Sequence, residues 1–113
     1  MPAAARWRGY DETKPIEMFP GVVRRTLVSG DGHTLVRIEL AQDAVVPLHT
    51  HPHEQAGTVV SGRIIFGIDG TDREVAAGGS YFVPGTVPHH ARALEPSVLI
   101  EVFAPVREEY AYD

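Results

Sequence analysis

Pro47-Leu48-His49-Thr50-His51-Pro52-His53-Glu54-Gln55 gathers three of the six histidines of a 113-residue chain into five positions. In extended backbone, side chains two residues apart share a face, so His49 and His51 project the same way and can grip one ion through two imidazole nitrogens. Pro52 limits the strand, and the turn it forces lets Gln55, opening the next strand, return with a neutral oxygen. A second rigid stretch, Val83-Pro84-Gly85-Thr86-Val87-Pro88-His89-His90, offers His89 as a further nitrogen ligand. The expected metal set is therefore His49, His51, Gln55 and His89. His53 competes with His51 for its place and Glu54 with Gln55, the role of His90 stays open, and a merely solvated histidine-rich loop is the opposing account. His33, beside Gly32 in a turn, reads as a surface histidine.

Outward from this stretch, eleven Gly and nine Pro cut the chain into short pieces, and no window keeps apolar residues at helical spacing long enough for a packed helix. Strands are expected near Val22 to Ser29, Thr34 to Leu40, Val45 to His51, Gln55 to Val60, Arg63 to Ile68, Arg73 to Ala76, Ser80 to Pro84, His89 to Leu94 and Val98 to Phe103. Ser29-Gly30-Asp31-Gly32, Ser61-Gly62, Asp69-Gly70-Thr71-Asp72 and Gly78-Gly79 carry residues that tolerate positive φ, so hairpin connections are expected at them. The fold class is all-β, a barrel or sandwich of one domain over residues 21–113, preceded by an arm over 1–20. Closing the strands into a barrel removes exposed edges and leaves room for one small ligand. The tail from Arg107 to Asp113 is polar and expected to be partly mobile.

Ten Lys and Arg against fifteen Asp and Glu give a net charge of −5 at pH 7, which opposes the basic footprint of a nucleic-acid binder. No apolar run is long enough to span a bilayer, and the charged start from Met1 to Pro15 does not read as a secretory signal, so no membrane partner and a cytoplasmic location are expected. Without cysteine, a metal must be held by nitrogen and oxygen donors, which suit zinc, nickel, iron, manganese or copper as one divalent transition metal ion. Three histidines and an amide bring no negative charge, so the ion keeps its full +2, and an anionic small molecule is the expected partner.

Glu101 sits inside an apolar strand, where an unpaired carboxylate is costly. If Leu94-Glu95-Pro96 is a three-residue hairpin loop, Ala93 pairs with Ser97, Ala91 with Leu99 and His89 with Glu101, and the acid faces the cavity; a two-residue loop turns it outward. Phe103 shares the parity of Glu101 and reads as pocket wall or core. Tyr81 reads as wall or core as well, Arg107 as a carboxylate-pairing fork at the mouth or a solvated charge, and Trp7 and Tyr10 as packing or subunit contacts. Of the adjacent Arg24 and Arg25, at most one points inward.

The chain resembles the cupin superfamily. Its first motif, Gly-x5-His-x-His-x3-4-Glu-x6-Gly, is matched by His49, His51, Gln55 in place of Glu, and Gly62, with Ala44 or Asp43 where the leading Gly belongs. Its second, Gly-x5-Pro-x-Gly-x2-His-x3-Asn, is matched by Gly78, Pro84 and His89, with the inner Gly shifted to Gly85 and Ala93 in place of Asn. The resemblance covers Val22 to Phe103 and implies a double-stranded β-helix, or jelly-roll, with an interior metal. The ending Glu101-Val-Phe103-Ala-Pro-Val-Arg107 is similar to the close of the small single-domain cupins of pectin and alginate degradation, which linearise 4,5-unsaturated uronates. That resemblance implies Glu101 and Arg107 as catalytic residues and Phe103 and Arg107 as substrate contacts; Tyr81, as a wall residue, reads as a further substrate contact, and a homodimer is expected. A metal-dependent dioxygenase, a non-catalytic sugar binder and a polyketide cyclase are the alternative readings.

Overall fold

Alternation of apolar and polar residues builds two layers of strands in the computed structural model, which describes residues 2–113. The strands are β1 (Ile16–Phe19), β2 (Val22–Ser29), β3 (Thr34–Leu40), β4 (Val45–His49), β5 (Glu54–Ser61), β6 (Arg63–Ile68), β7 (Thr71–Ala76), β8 (Ser80–Val83), β9 (His89–Ala93) and β10 (Ser97–Ala104). They form one sheet in the order β1-β2-β3-β10-β5-β8 and a second in the order β4-β9-β6-β7, antiparallel throughout. From β3 to β10 the chain changes sheets at every connection except the β6–β7 hairpin, the winding of a jelly-roll. Every second residue of β3 and β10 is buried, so Val36, Ile38, Leu99 and Phe103 of one sheet meet Ile64, Phe66 and Ala91 of the other in a single core.

Three strands, β2, β3 and β6, run over the spans their residue patterns predict; Gly21 and Gly30 bound β2, Gly62 and Gly70 lie just outside β6, and Gly32 precedes β3. Only two of the four glycine turns are hairpins: Ser29 to Gly32 joins β2 to β3, and Asp69-Gly70 joins β6 to β7. Ser61-Gly62 and Gly78-Gly79 instead carry the chain from one sheet to the other. Leu94 to Pro96 does the same, which overturns the expected pairing of His89 with Glu101. β9 pairs with β4 and β6, while β10 pairs with β3 and β5. Glu101 still faces inward, since alternation along β10 buries Ser97, Leu99, Glu101 and Phe103, but it faces His89 across the core rather than along a ladder.

Both ends are more ordered than a polar reading allows. The arm contains a 3-10 turn at Tyr10–Glu12 and then β1, which pairs with β2 through Ile16 and Glu17. The tail forms a short helix, α1 (Glu108–Ala111), because Tyr110 is apolar enough to fold back, edge to face, on Phe103 with ring centroids 5.7 Å apart. Trp7 is 93% exposed, so it contributes nothing to this packing.

The loop between β8 and β9 clips onto the loop that follows β4. The Thr86 N–H donates to the His51 carbonyl at 2.8 Å, and a Cβ at Gly85 would stand 2.4 Å from the Pro52 carbonyl oxygen. Gly85 is therefore required for close approach, not for its torsion. The positive φ falls one residue later, on Thr86 at 69°, where the second cupin motif has its inner Gly; Asp43, at the leading Gly of the first motif, likewise has φ 66°. The backbone has kept the left-handed conformation while the glycine has gone. A β-branched residue there stores strain of about 1–3 kcal/mol, against roughly 1 kcal/mol of added chain entropy for glycine. Thr86→Gly is accordingly expected to raise stability by about 1 kcal/mol, read as a higher midpoint in urea at unchanged slope; a fall in the midpoint shows that the Thr86 torsion is not strained.

Candidate metal centre

Three backbone carbonyls aim the histidines. His49 Nδ1 lies 2.7 Å from the Pro47 oxygen, His51 Nδ1 2.9 Å from the His53 oxygen, and His89 Nδ1 2.9 Å from the Val87 oxygen. A ring nitrogen facing a carbonyl must carry the proton, so each Nδ1–H donates and each Nε2 keeps its lone pair for the interior. Buried His89 Nε2 has no hydrogen-bond partner. One ligand atom from each of the three rings lies within 4.8 Å of the others, a group that could hold a metal ion. The donors fit a divalent transition ion: three neutral imidazoles, tautomers fixed, lone pairs converging.

The route by which His49 and His51 converge differs from simple strand alternation. β4 ends at His49 after an irregularity between Val46 and His49 that re-aims the imidazole, and His51 lies beyond the strand. Their centroids are 5.5 Å apart, and His89 sits 4.2 Å from His49 and 4.8 Å from His51. Burial lowers the His51 pKa, helped by the Arg107 charge, and burial lowers that of His89 to about 4, so both shifts favour the neutral ring and His89 stays neutral well below neutrality.

Gln55, 5% exposed at the start of β5, presents Oε1 at 3.1 Å from His51 Nε2. With Nδ1 of that ring protonated, both facing atoms are acceptors, an arrangement that a shared cation relieves. The amide cannot turn freely, because its Nε2 donates to Glu101 Oε2 at 2.8 Å. The same carboxylate oxygen accepts from the Tyr81 hydroxyl. Tyr81, Gly57 and Glu101 lie side by side on β8, β5 and β10, and a Cβ at Gly57 would stand 2.5 Å from the Tyr81 ring, so glycine lets the ring lie across β5 to reach Glu101. Burial pushes the Glu101 pKa up, opposed by the hydrogen bonds from Tyr81 and Gln55 and by the Arg107 charge. The Tyr81 hydroxyl is driven well above its usual value by burial and then by Glu101.

A cavity of about 290 Å³ opens beside these groups, lined among others by His49, His89, Gln55, Glu101, Phe103 and Arg107. Arg107 is held by stacking: its Cζ lies 4.7 Å from the Phe103 centroid and 4.1 Å from that of Tyr110, while its Nε donates to Glu109 at 2.7 Å. Nε being engaged, the terminal nitrogens of the fork are left to meet a ligand.

Tyr81 is not part of this wall, since its hydroxyl serves Glu101 and its ring stacks on Phe66 at 3.9 Å. His53 contributes its carbonyl to His51, and Glu54 is exposed. His90 borders the cavity but has its ring Nε2 engaged with Asp72 at 3.0 Å, while His33 stands exposed in the turn between β2 and β3. Met18, Phe19 and Tyr110 line the cavity although nothing had singled them out. The apolar spacing of Ile16, Met18 and Phe19 before the β2 turn and the aromatic Tyr110 in a charged tail were the available signals.

A family profile described as cupin domain matches residues 36–103, the span that carries all four of His49, His51, Gln55 and His89. The pectin degradation protein KdgF of Dickeya dadantii (strain 3937) is 30% identical over 102 residues, covering 88% of this chain and 93% of that protein. Among solved structures, an RmlC-like cupin from Shewanella frigidimarina superposes with a TM-score of 0.88 at 29% identity, covering 95% of this chain and 96% of that one. KdgF from Halomonas sp. superposes equally well, TM-score 0.88 at 28% identity, over 94% and 98% of the two chains. Sheet order, histidine geometry and sequence likeness agree: the chain belongs to the cupin domain family.

Proposed function

We propose that this chain is a metal-dependent enzyme that opens a 4,5-unsaturated uronate to its linear keto form. One observation carries the reading: a buried acid and a half-free arginine fork share one small cavity with His49 and His89, and His51 offers a ligand atom within 4.8 Å of theirs. Its likeness to two KdgF proteins, one of them described as a pectin degradation protein, supports the substrate class.

His49, His51, Gln55 and His89 are the ligands in this reading. The ion they hold supplies Lewis-acid polarisation of substrate oxygens. Ring opening followed by enol-to-keto shift is an isomerisation: the anomeric hydroxyl gives up a proton, the ring C–O bond breaks, and the carbon at position 4 gains a proton. No oxidant is consumed, and one group that returns what it takes suffices. Glu101 suits that task. Its Oε2 is engaged by Tyr81 and Gln55, which leaves Oε1 to exchange the proton, and its raised pKa brings the acid form closer to working pH. Arg107 pairs with the substrate carboxylate, and Phe103 backs the guanidinium and walls the site. A homodimer working on a small anionic molecule completes the proposal.

Wild-type protein is expected to abolish the enol-ether absorbance of lyase-generated unsaturated galacturonate without consuming oxygen. Glu101→Gln should lower kcat by about 10²–10⁴-fold, the usual worth of a positioned acid/base. Normal turnover by that variant removes Glu101 from the chemistry, and oxygen uptake in step with substrate loss replaces the isomerase by a dioxygenase.

Metal retention offers an independent check. Imidazoles bind only when neutral, and the folded pKa of His89 lies below the ordinary 6.5, so lowering the pH through 6 should leave the ion in place, with progressive release as pH nears about 4. Elemental analysis across that range is the measurement, and His89→Ala should carry no stoichiometric metal even at pH 7. Undiminished metal in His89→Ala overturns the ligand set.

A further inference from the structure

Arg24 is the one arginine buried to 4% exposure, on the inward side of β2 between Val22 and Thr26, yet it lies outside the cavity. Its neighbour Arg25 points the other way and pairs with Glu39 at 3.2 Å. Burying a guanidinium is costly, and here Nε has no partner at all. A Met or Leu would fill the space without that cost, so what only arginine provides must explain its presence.

Its fork reaches in two directions. One terminal nitrogen donates to Thr26 Oγ1 at 2.9 Å and the other to Asp113 Oδ2 at 2.6 Å. The guanidinium also lies over the Tyr110 ring, Cζ 3.9 Å from the centroid. Thr26 in turn donates its hydroxyl to the Tyr110 carbonyl at 2.8 Å, and Arg8 reaches the Asp113 carbonyl at 2.7 Å. The Asp113, Tyr110-ring and Tyr110-carbonyl contacts hold α1 and the residues after it against β2, Arg8 adds a tie from the arm, and the Thr26 hydroxyl fixes the Arg24 fork within the strand. The same Tyr110 ring carries the second guanidinium, that of Arg107, at 4.1 Å. Aromatic rings attract cations through a fixed quadrupole, so the plane of Tyr110 sets where the Arg107 fork rests.

We infer that Arg24 is a positioning residue for Arg107, acting through Tyr110 and Asp113 to fix the fork that receives the substrate carboxylate. The inference rests on the reading of Arg107 as the carboxylate-binding group. Loss of Arg24 loosens α1 and lets the Arg107 fork wander, while His49, His89 and Glu101, on other strands, and His51, in the loop after β4, keep their geometry. Substrate binding suffers and the chemical step does not.

The experiment compares Arg24→Met with wild type and with Arg25→Met, a control from the outer face of the same strand. Two readouts are taken: KM and kcat on unsaturated galacturonate, and the rate at which phenylglyoxal labels Arg107, located by peptide mass spectrometry. In Arg24→Met, KM is expected to rise about tenfold with kcat changed by no more than about twofold, the size of one lost cation–π contact and its pairing. Arg107, whose side chain is 13% exposed, should label faster in that variant only. Values matching Arg25→Met on both readouts, or a fall in kcat at constant KM, overturn the inference. Should wild type fail to turn over the uronate while Arg24→Met still labels faster at Arg107, the positioning role stands and the uronate reading falls. If Arg24→Met does not fold, Asp113→Asn, which keeps both guanidiniums and weakens only the carboxylate anchor of Arg24, decides on the same two readouts.

Discussion

The site depends on three short hydrogen bonds from imidazole Nδ1–H groups to carbonyls two residues away. Each costs little to form, because donor and acceptor are only two residues apart in the chain, and each settles a question that the ring cannot settle alone: which nitrogen keeps its lone pair. Neutral rings with protonated Nδ1 must point Nε2 at one another, and three lone pairs crowded together repel. The loops therefore need an outside constraint. The Thr86 amide on the His51 carbonyl and the Pro52 carbonyl packed against Gly85 provide it by tying the first histidine loop to the one that leads to His89. Strain at Thr86 is a local cost of a geometry that the two loops impose jointly.

Faces were legible in the residue pattern and neighbours were not. Alternation told that Glu101 and Phe103 share a face of their strand; the inward orientation of that face followed from a pairing with His89 that the sheets do not make, yet both residues are buried there. It could not tell that β10 lies between β3 and β5, because period-two patterning encodes in or out and carries no term for which strand lies alongside. The turn chemistry had the same limit: Gly62 and Gly78 reverse or redirect the chain equally well within a sheet or between two. The histidine cluster was readable because its spacing is local. Tyr110 was not, since its burial comes from a contact with Phe103 that no neighbouring residue announces.

Glu101 shows how a sheet can hold an acid in an apolar core. Its two donors come from different strands, Gln55 on β5 and Tyr81 on β8, and the second arrives only because Gly57 leaves the intervening strand bare. The carboxylate is thus half-satisfied. Full satisfaction of both oxygens would make a stable but inert buried acid, and no satisfaction would be too costly to fold. One engaged oxygen fixes the orientation of the group, and the other stays available to the cavity.

Charge on the whole molecule argues against an anionic ligand until distances are considered. The chain carries −5, yet fields from exposed carboxylates fall off within a Debye length of about 8 Å at physiological salt. Around the cavity the balance is different: burial favours the neutral forms of His51 and His89, Glu101 is pushed toward its protonated form, and the Arg107 guanidinium has Glu109, 58% exposed, as its hydrogen-bonded counter-ion in water. Any divalent ion on the imidazoles adds to the same side, because the ligand set brings no charge of its own. A small carboxylate entering between Arg107 and the histidines therefore meets a positive interior under an acidic surface. The field that selects it is made within a few ångströms of the site, so Arg107 and the residues that hold it matter far more than the net charge.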